Sequence, residues 1–402
     1  MTQSIFTIII LIFAIVGAAY YLLKIKPHNG IKVKDLYAEG LDLMMAGKRK
    51  SAFKNFKDII QKDSDNIKAY LRLGQVLRES ENPSRALKVH KTLYHRRNLT
   101  SYEKIDIHKN LALDYFQLGH VDIAISELHD LLKIEKNNEW ALSQLSVFYR
   151  HKQDWENAGN YLEKFQKITN KYDMRKLALY KIQEGRILIE KNKFLESRKK
   201  FEDALLISDE LAVAYYFIGK SYSSESENAY QRSIDSLINP DEKKEYMNQA
   251  KEYLGKAIPM WIKYLELKPK QAWMVIHLLK DALFVLDRYS EFEDILKQVL
   301  KNDADNIEVI ASLSEIYSHR GEDTEAIELI ESALEQDSTS LIVKLIKIKL
   351  SAKKEKNSVD FIRSLDDIIH FLVTDERFQI YKNTATDGDI IWLYEASSEL
   401  DS

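Results

Sequence analysis

Small and large apolar positions recur along the chain with a period of 34 residues, beginning after the linker around Pro27 and Gly30. Each repeat carries a small residue in one predicted helix, a second small residue twelve positions on, and a large residue four positions after that. Small side chains at these places let two antiparallel helices approach closely, and the large one fills the seam beside them. The series starts with Gly40, Ala52 and Phe56, and Gly74 and Ala86 follow 34 residues later. Ala112 and Ala124 come next, after four extra residues in the linker near Asn98 to Glu103. Ser146, Ala158 and Leu162 keep the period, and Gly185, Ser197 and Phe201 form the fifth set.

The sixth repeat departs from the rule. Gly219 is placed as expected, but its second helix resumes only at Ala257 and Trp261, some 26 residues late. The intervening residues 223–248 are polar and read as a loop followed by an extended helix that starts at Pro240 and kinks near Gly255 and Pro259. Lys280 with Phe292 is a weak seventh set, and Ser314, Ala326 and Ile330 make an eighth. The expected architecture is therefore all-α: tetratricopeptide-type hairpins over residues 35–340, stacked into a right-handed superhelical solenoid whose inner groove is lined by the first helix of each pair. Residues 341–402 are expected to supply a helical cap and a tail.

Ahead of the repeats, residues 5–23 (IFTIIILIFAIVGAAYYLL) contain no charged side chain. As a helix they would extend roughly 28 Å, close to the hydrocarbon thickness of a bilayer. The segment reads as a transmembrane anchor over residues 1–24, with 25–34 as linker. A cleaved signal peptide is the rival reading, with Val16-Gly17-Ala18 as a cleavage site. Met1 to Ser4 carries no Lys or Arg, which counts against it. Lys24, Lys26, Lys32 and Lys34 follow the span, so the positive-inside rule places the C-terminal bulk in the cytoplasm. Ala14, Gly17 and Ala18 form a small-residue face that another helix can approach; facing lipid is the plainer reading.

Composition supports helices over sheets: only 12 glycines and 5 prolines punctuate 402 residues. The net charge of −3 offers no global signal for nucleic acid. Cysteine is absent, which removes disulfides, thiolate metal sites and cysteine nucleophiles together. No phosphate loop, dinucleotide fingerprint, His-Glu-x-x-His or nucleophile elbow is present, so the chain is expected to be no enzyme and to need no cofactor. His90, His95 and His108 lie near one another without a ligand spacing and read as packing or surface residues. The runs His95-Arg96-Arg97 and Arg198-Lys199-Lys200 read as solvated helix ends.

Projected on the repeat register, the groove-facing places hold Lys68, Gln75, Arg78, Lys109, Phe116, Trp140, Arg150, Arg186, Tyr216 and Lys220, with Asp106 the one acid. In the last two repeats the same places give His277, Asp281, Glu308 and Glu315. A basic, aromatic-lined first half suits an acidic peptide or helix. The competing reading is a solvated charged face.

Residues 69–74 (AYLRLG), 85–93 (RALKVHKTL), 98–104 (NLTSYEK) and 113–115 (LDY) resemble the lipopolysaccharide assembly protein B family, over nearly the whole chain apart from the insertion. Members of that family end in a rubredoxin-type metal knuckle with two Cys-x-x-Cys pairs. Here the corresponding places hold Ile380, Asn383, Tyr394 and Ser397 beside Trp392, which leaves a degenerate knuckle unable to bind metal. The resemblance implies a cell inner-membrane adaptor that regulates lipopolysaccharide synthesis. It implies three protein partners: a client deacetylase, a membrane-bound AAA-type protease that receives it, and a membrane sensor met through the anchor helix. A general tetratricopeptide assembly factor for another envelope or secretion complex is the alternative, and an exported periplasmic binding protein a third.

Overall fold

The computed structural model describes residues 33–354 together with 360, 361, 363, 364, 367 and 368. These residues are helical throughout, with no strand among them. The expected anchor, linker start and tail, including the four knuckle places, lie outside the described residues. No described helix is long and apolar enough to cross a membrane.

The chain divides into two compact units, Met1–Gln153 and Asp154–Ser402. The first contains α1 (Val33–Met45), α2 (Arg49–Lys62), α3 (Ile67–Glu79), α4 (Pro83–Tyr94), α5 (Ser101–Gln117), α6 (Val121–Ile134) and α7 (Glu139–His151). The second begins with α8 (Trp155–Thr169), α9 (Met174–Glu190), α10 (Phe194–Ile207), α11 (Ala212–Ile234) and α12 (Pro240–Leu267). After a 3-10 turn at Pro269–Met274 it continues with α13 (Ile276–Val285), α14 (Tyr289–Asn302), α15 (Ile307–Arg320), α16 (Asp323–Gln336) and α17 (Leu341–Lys354). Within each unit, successive helices pack as hairpins and each hairpin packs on the next, which is the layout of a helical solenoid.

The small residues of the first helices have a specific steric reason. A Cβ added at Gly40 would meet the Phe56 ring at 2.8 Å, and one at Gly74 the His90 imidazole at 2.2 Å. At Gly185 it would meet Phe201 at 2.3 Å, and at Gly219 the Trp261 indole at 2.4 Å. In each of these hairpins a ring from the second helix rests on the bare Cα of the first. Where the first helix carries Ala112 or Ser314 instead, the residue sixteen places on is Leu128 or Ile330, without a ring. Glycine is thus matched to rings, and alanine or serine to aliphatic side chains.

Turn chemistry repeats as well. Hairpin turns place Gly47, Glu81, Gly119, Asn192, Asp287 and Gly321 at positive φ, between +57° and +85°. Connectors between hairpins use an acid three residues before an asparagine. Asn66 accepts the Ala69 N–H at 3.0 Å while its amide donates to Asp63 at 3.1 Å. Asn138 does the same with Ala141 and Glu135, and Asn306 with Val309 and Asp303. Each asparagine satisfies an N-terminal amide of the following helix and is itself held by the acid, which fixes the angle between hairpins. Thr100 and Glu103 form a capping box at the start of α5.

The sixth repeat differs from the sequence expectation. Residues 223–234 are the continuation of α11, which reaches 23 residues, and α12 runs 28 residues without a break through Gly255 and Pro259. The polarity of the first half of the insertion suggests a loop in the sequence. In the structure Ser226, Ala229 and Ser233 form a buried small-residue stripe facing α12, and the Ser226 hydroxyl donates to the Ala250 carbonyl at 2.7 Å. Small size, not hydrophobicity, lets these two helices meet. The ring of Trp261 then completes the ordinary hairpin against Gly219.

Candidate functional site

The inner side of the first unit is built from the first helices of three consecutive hairpins. Tyr37 of α1, Lys68, Leu71 and Arg72 of α3, and Asp106 and Asn110 of α5 line an open recess of about 270 Å³. Lys68 and Asp106 are two of the residues placed there by the repeat register. Arg72 and Asn110 were missed, though each lies one helical turn beyond a predicted position, at i+4 from Lys68 and Asp106. Arg72 donates to Gln75 at 2.6 Å, and Gln75 in turn to Glu79 at 2.8 Å. Further along, the Lys109 ammonium sits 5.6 Å from the centre of the Trp140 ring, a cation–π contact between α5 and α7. Phe116 stacks flat on Phe148 at 4.1 Å, and Arg150 is half-buried on α7. These residues can offer cationic and aromatic contacts to an elongated acidic ligand; they hold no arrangement for bond making or breaking.

Arg78 requires a correction. Instead of facing a ligand, it donates to Asp114 at 2.8 Å and to the Asn110 side chain at 3.2 Å. Asp114 is fully buried and takes His90 on its other oxygen, with Nδ1 at 2.5 Å. The second ring nitrogen of His90 faces the Leu71 carbonyl at 3.2 Å, so both nitrogens point at oxygen acceptors. Arg78, Asp114 and His90 therefore form a buried bridge joining α3, α4 and α5. This explains a histidine in a place that Phe56, Phe201 and Trp261 fill in other repeats: it covers Gly74 as a ring does and also meets a buried carboxylate.

In the second unit Arg186 donates to Gln183 at 2.6 Å and lies over the Phe217 ring at 5.4 Å. Tyr216 is core, only 3 % exposed and packed on Phe217 and Tyr264, so its projection into a groove is also corrected. The register allows an inward position, but Tyr264 of α12 packs against this side chain. Lys220 sits over its ring at 5.9 Å. The run Arg198-Lys199-Lys200 is mid-helix, not a solvated end. Arg198 is buried, bonded to Glu225 at 2.6 Å and stacked on Tyr222. Lys200 is bonded to Glu184 at 2.6 Å, and that hydrogen bond raises its ammonium above the ordinary lysine range.

His277 and Asp281 of α13 are exposed, and Glu308 of α15 is half-buried. Glu315, by contrast, is clamped at 2.7 Å by both Lys280 and Lys349. Lys280 is therefore an ion-pair residue on α13, and the weak seventh set assigned to it is replaced by buried Leu279, Ala282 and Leu283. A cleft of about 370 Å³, bordered by Tyr230, Met247, Leu254, Asp281 and Val285, opens between the lengthened hairpin and α13. Among the described residues, no three His, Asp or Glu side chains are placed to hold a metal ion.

Helical hairpins with ring-on-glycine seams make an all-α solenoid of the tetratricopeptide-repeat type. Residues 309–341 match the tetratricopeptide repeat family model. The chain is similar to lipopolysaccharide assembly protein B. It is 26% identical over 132 residues to that protein of Escherichia coli K12, covering 33% of this chain and 34% of the relative. The same protein of Haemophilus influenzae Rd is 26% identical over 231 residues, or 55% of this chain and 56% of the relative. The matches thus span about a third to a half of these relatives, less than the near-complete resemblance expected from the sequence. Among solved structures, a tetratricopeptide repeat protein from Parabacteroides merdae is 16% identical, covering 67% of this chain and 100% of its own, with a TM-score of 0.35. A repeat protein fragment from Cytophaga hutchinsonii is 14% identical, covering 76% and 96%, with a TM-score of 0.37.

Proposed function

We propose that this chain is a non-enzymatic, membrane-anchored scaffold that binds an acidic segment of a client protein along the inner side of its first unit. The observation that carries the reading is the recess lined by Lys68, Arg72 and Tyr37 with Asp106 as its one acid, together with the Lys109–Trp140 pair further along. Cations flanked by flat apolar surface select an extended acidic chain, because the ring faces exclude water while the charges set the register. Similarity to lipopolysaccharide assembly protein B supports a role in lipopolysaccharide assembly; in the proposed scheme the scaffold presents a biosynthetic enzyme to a membrane protease. The apolar segment at residues 5–23 supports attachment to the inner membrane. Confinement there raises the effective concentration of membrane-bound partners without any new contact.

The test is partner capture by crosslinking and mass spectrometry, comparing the wild type with a Lys68→Glu, Arg72→Glu, Lys109→Glu variant. Arg78 is left intact because its reversal would break the buried bridge. Recovery of an envelope-biosynthetic enzyme with a membrane protease, lost in the variant at unchanged helicity, supports the proposal. Equal capture by both proteins refutes the site. Recovery of unrelated secretion or envelope components assigns the groove to a general assembly factor.

A further inference from the structure

Charge on the second helices of the hairpins is distributed unevenly. On α2, Arg49, Lys50, Lys54, Lys57 and Lys62 are all exposed, against a single half-buried acid, Asp58. On α4, Arg85, Lys88 and Lys91 are exposed, and the helix has no acid. None of these eight cations is ion-paired to a carboxylate among the described residues. The next second helix, α6, reverses the balance with Asp122, Glu127 and Asp130 against Lys133, and its charges are paired: Asp122 with Lys152, Asp130 with Lys133. At the other end of the chain, α16 carries five acids and no Lys or Arg. A solvated helix face ordinarily mixes both signs, as α8 and α10 do.

The two basic helices are the second helices of consecutive hairpins, and both pack on α3. Val89 of α4 packs against the cluster that Ala52, Phe56 and Ile59 of α2 form. Their cations are exposed, and none of them lines the recess of α1, α3 and α5. The predicted anchor is joined to the first hairpin by a short stretch of chain. Eight residues lie between Lys24 and Val33, and the nine steps between their Cα atoms span at most about 30 Å when extended. Lys26, Lys32 and Lys34 add to the charge between them.

We propose that the exposed cations of α2 and α4 dock the first hairpins on an anionic phospholipid surface, with the recess of α1, α3 and α5 turned toward the cytoplasm. The inference rests on the anchor reading, which supplies the nearness that selects lipid headgroups over other polyanions. Uncompensated like charges on neighbouring helices repel one another, and a negative surface within a Debye length, about 8 Å at physiological salt, relieves that repulsion. Apolar attachment alone leaves the first unit free to swivel; a second, electrostatic contact removes that freedom.

The absence of cysteine makes the test direct. Full-length chain carrying Ser51→Cys on α2 or, as control, Ser332→Cys on α16 is labelled with a fluorophore. It is reconstituted into vesicles of phosphatidylcholine alone or mixed with phosphatidylglycerol, containing a headgroup quencher. The expected result is at least about twofold stronger quenching at Ser51 in the anionic vesicles, absent at Ser332 and abolished by high salt or by Lys54→Glu, Lys57→Glu, Lys88→Glu. Flotation with both vesicle types but equal quenching at Ser51 overturns the docking while the anchor stands. Failure to float with neutral vesicles, with salt-sensitive binding to anionic ones, removes the anchor and retains the docking face. A labelled RNA oligonucleotide bound by the same cations, with no response to lipid, overturns the proposal in favour of nucleic acid.

Discussion

Gly185→Ala tests whether the ring-on-glycine seam sets the spacing of a hairpin. The added methyl would lie 2.3 Å from one Phe201 ring carbon and 2.7 and 2.8 Å from two more. Ordinary carbon–carbon contact begins near 3.5 Å, so the ring must retreat by about an ångström. It has little room, because Phe201 is fully buried and stacked on Phe217 at 5.7 Å. Overpacking of this kind costs about 1–3 kcal/mol, and the rigid ring places this case at about 2–3. For a unit of this size that corresponds to a melting shift of roughly 4–12 °C. The chain contains its own remedy: the third hairpin has Ala112 with Leu128 at the same two places. Gly185→Ala combined with Phe201→Leu should then be more stable than the sum of the two single changes by at least about 1 kcal/mol. Melting followed by circular dichroism at 222 nm gives the global effect, and hydrogen exchange in α9 and α10 shows whether the loss is local. Additive changes, or a single variant melting within about 1 °C of wild type, would refute the steric account of the seam.

Three further outcomes follow from the same geometry. Asp114→Asn leaves Arg78 and His90 without their shared counter-charge and should destabilise the first unit by about 3–5 kcal/mol, measured by urea unfolding; a loss under about 1 kcal/mol would mean the bridge is incidental. Glu81→Gly relieves a left-handed backbone at φ 59° and should stabilise by about 0.5–1 kcal/mol, read as a higher melting temperature, with no gain counting against strain at the turn. Burial by itself raises the carboxyl of Glu315, but hydrogen bonds and charge from Lys280 and Lys349 outweigh it and hold the group below the ordinary carboxylate range. Its contribution is therefore complete above the unfolded carboxylate range and lost as pH falls through the lower folded value. Glu315→Gln should flatten that part of an acid-unfolding curve, and an unaltered curve would show that the clamp is inert.

The sequence determined the helical hairpins, their interval and the residues that close them. The 34-residue period and the spacing between small and large positions are local properties, because each seam is made within one hairpin. Gly219 and Trp261 were matched correctly across the insertion for this reason, since a ring must meet a bare Cα whatever lies between. Tertiary structure alone decided which charged side chains are available. Arg78 and Arg186 fall at groove places and carry the same formal charge as Lys109, yet Arg78 is spent on Asp114, 36 residues away, and Arg186 on Gln183 and Phe217. Tyr216 is likewise buried, against Tyr264 of α12. The continuation of α11 through residues 223–234 was hidden because a stripe of serines reads as a loop until a partner helix lies against it. Hydrophobic period is written along one element, whereas the fate of a buried or paired polar group depends on what another element brings to it.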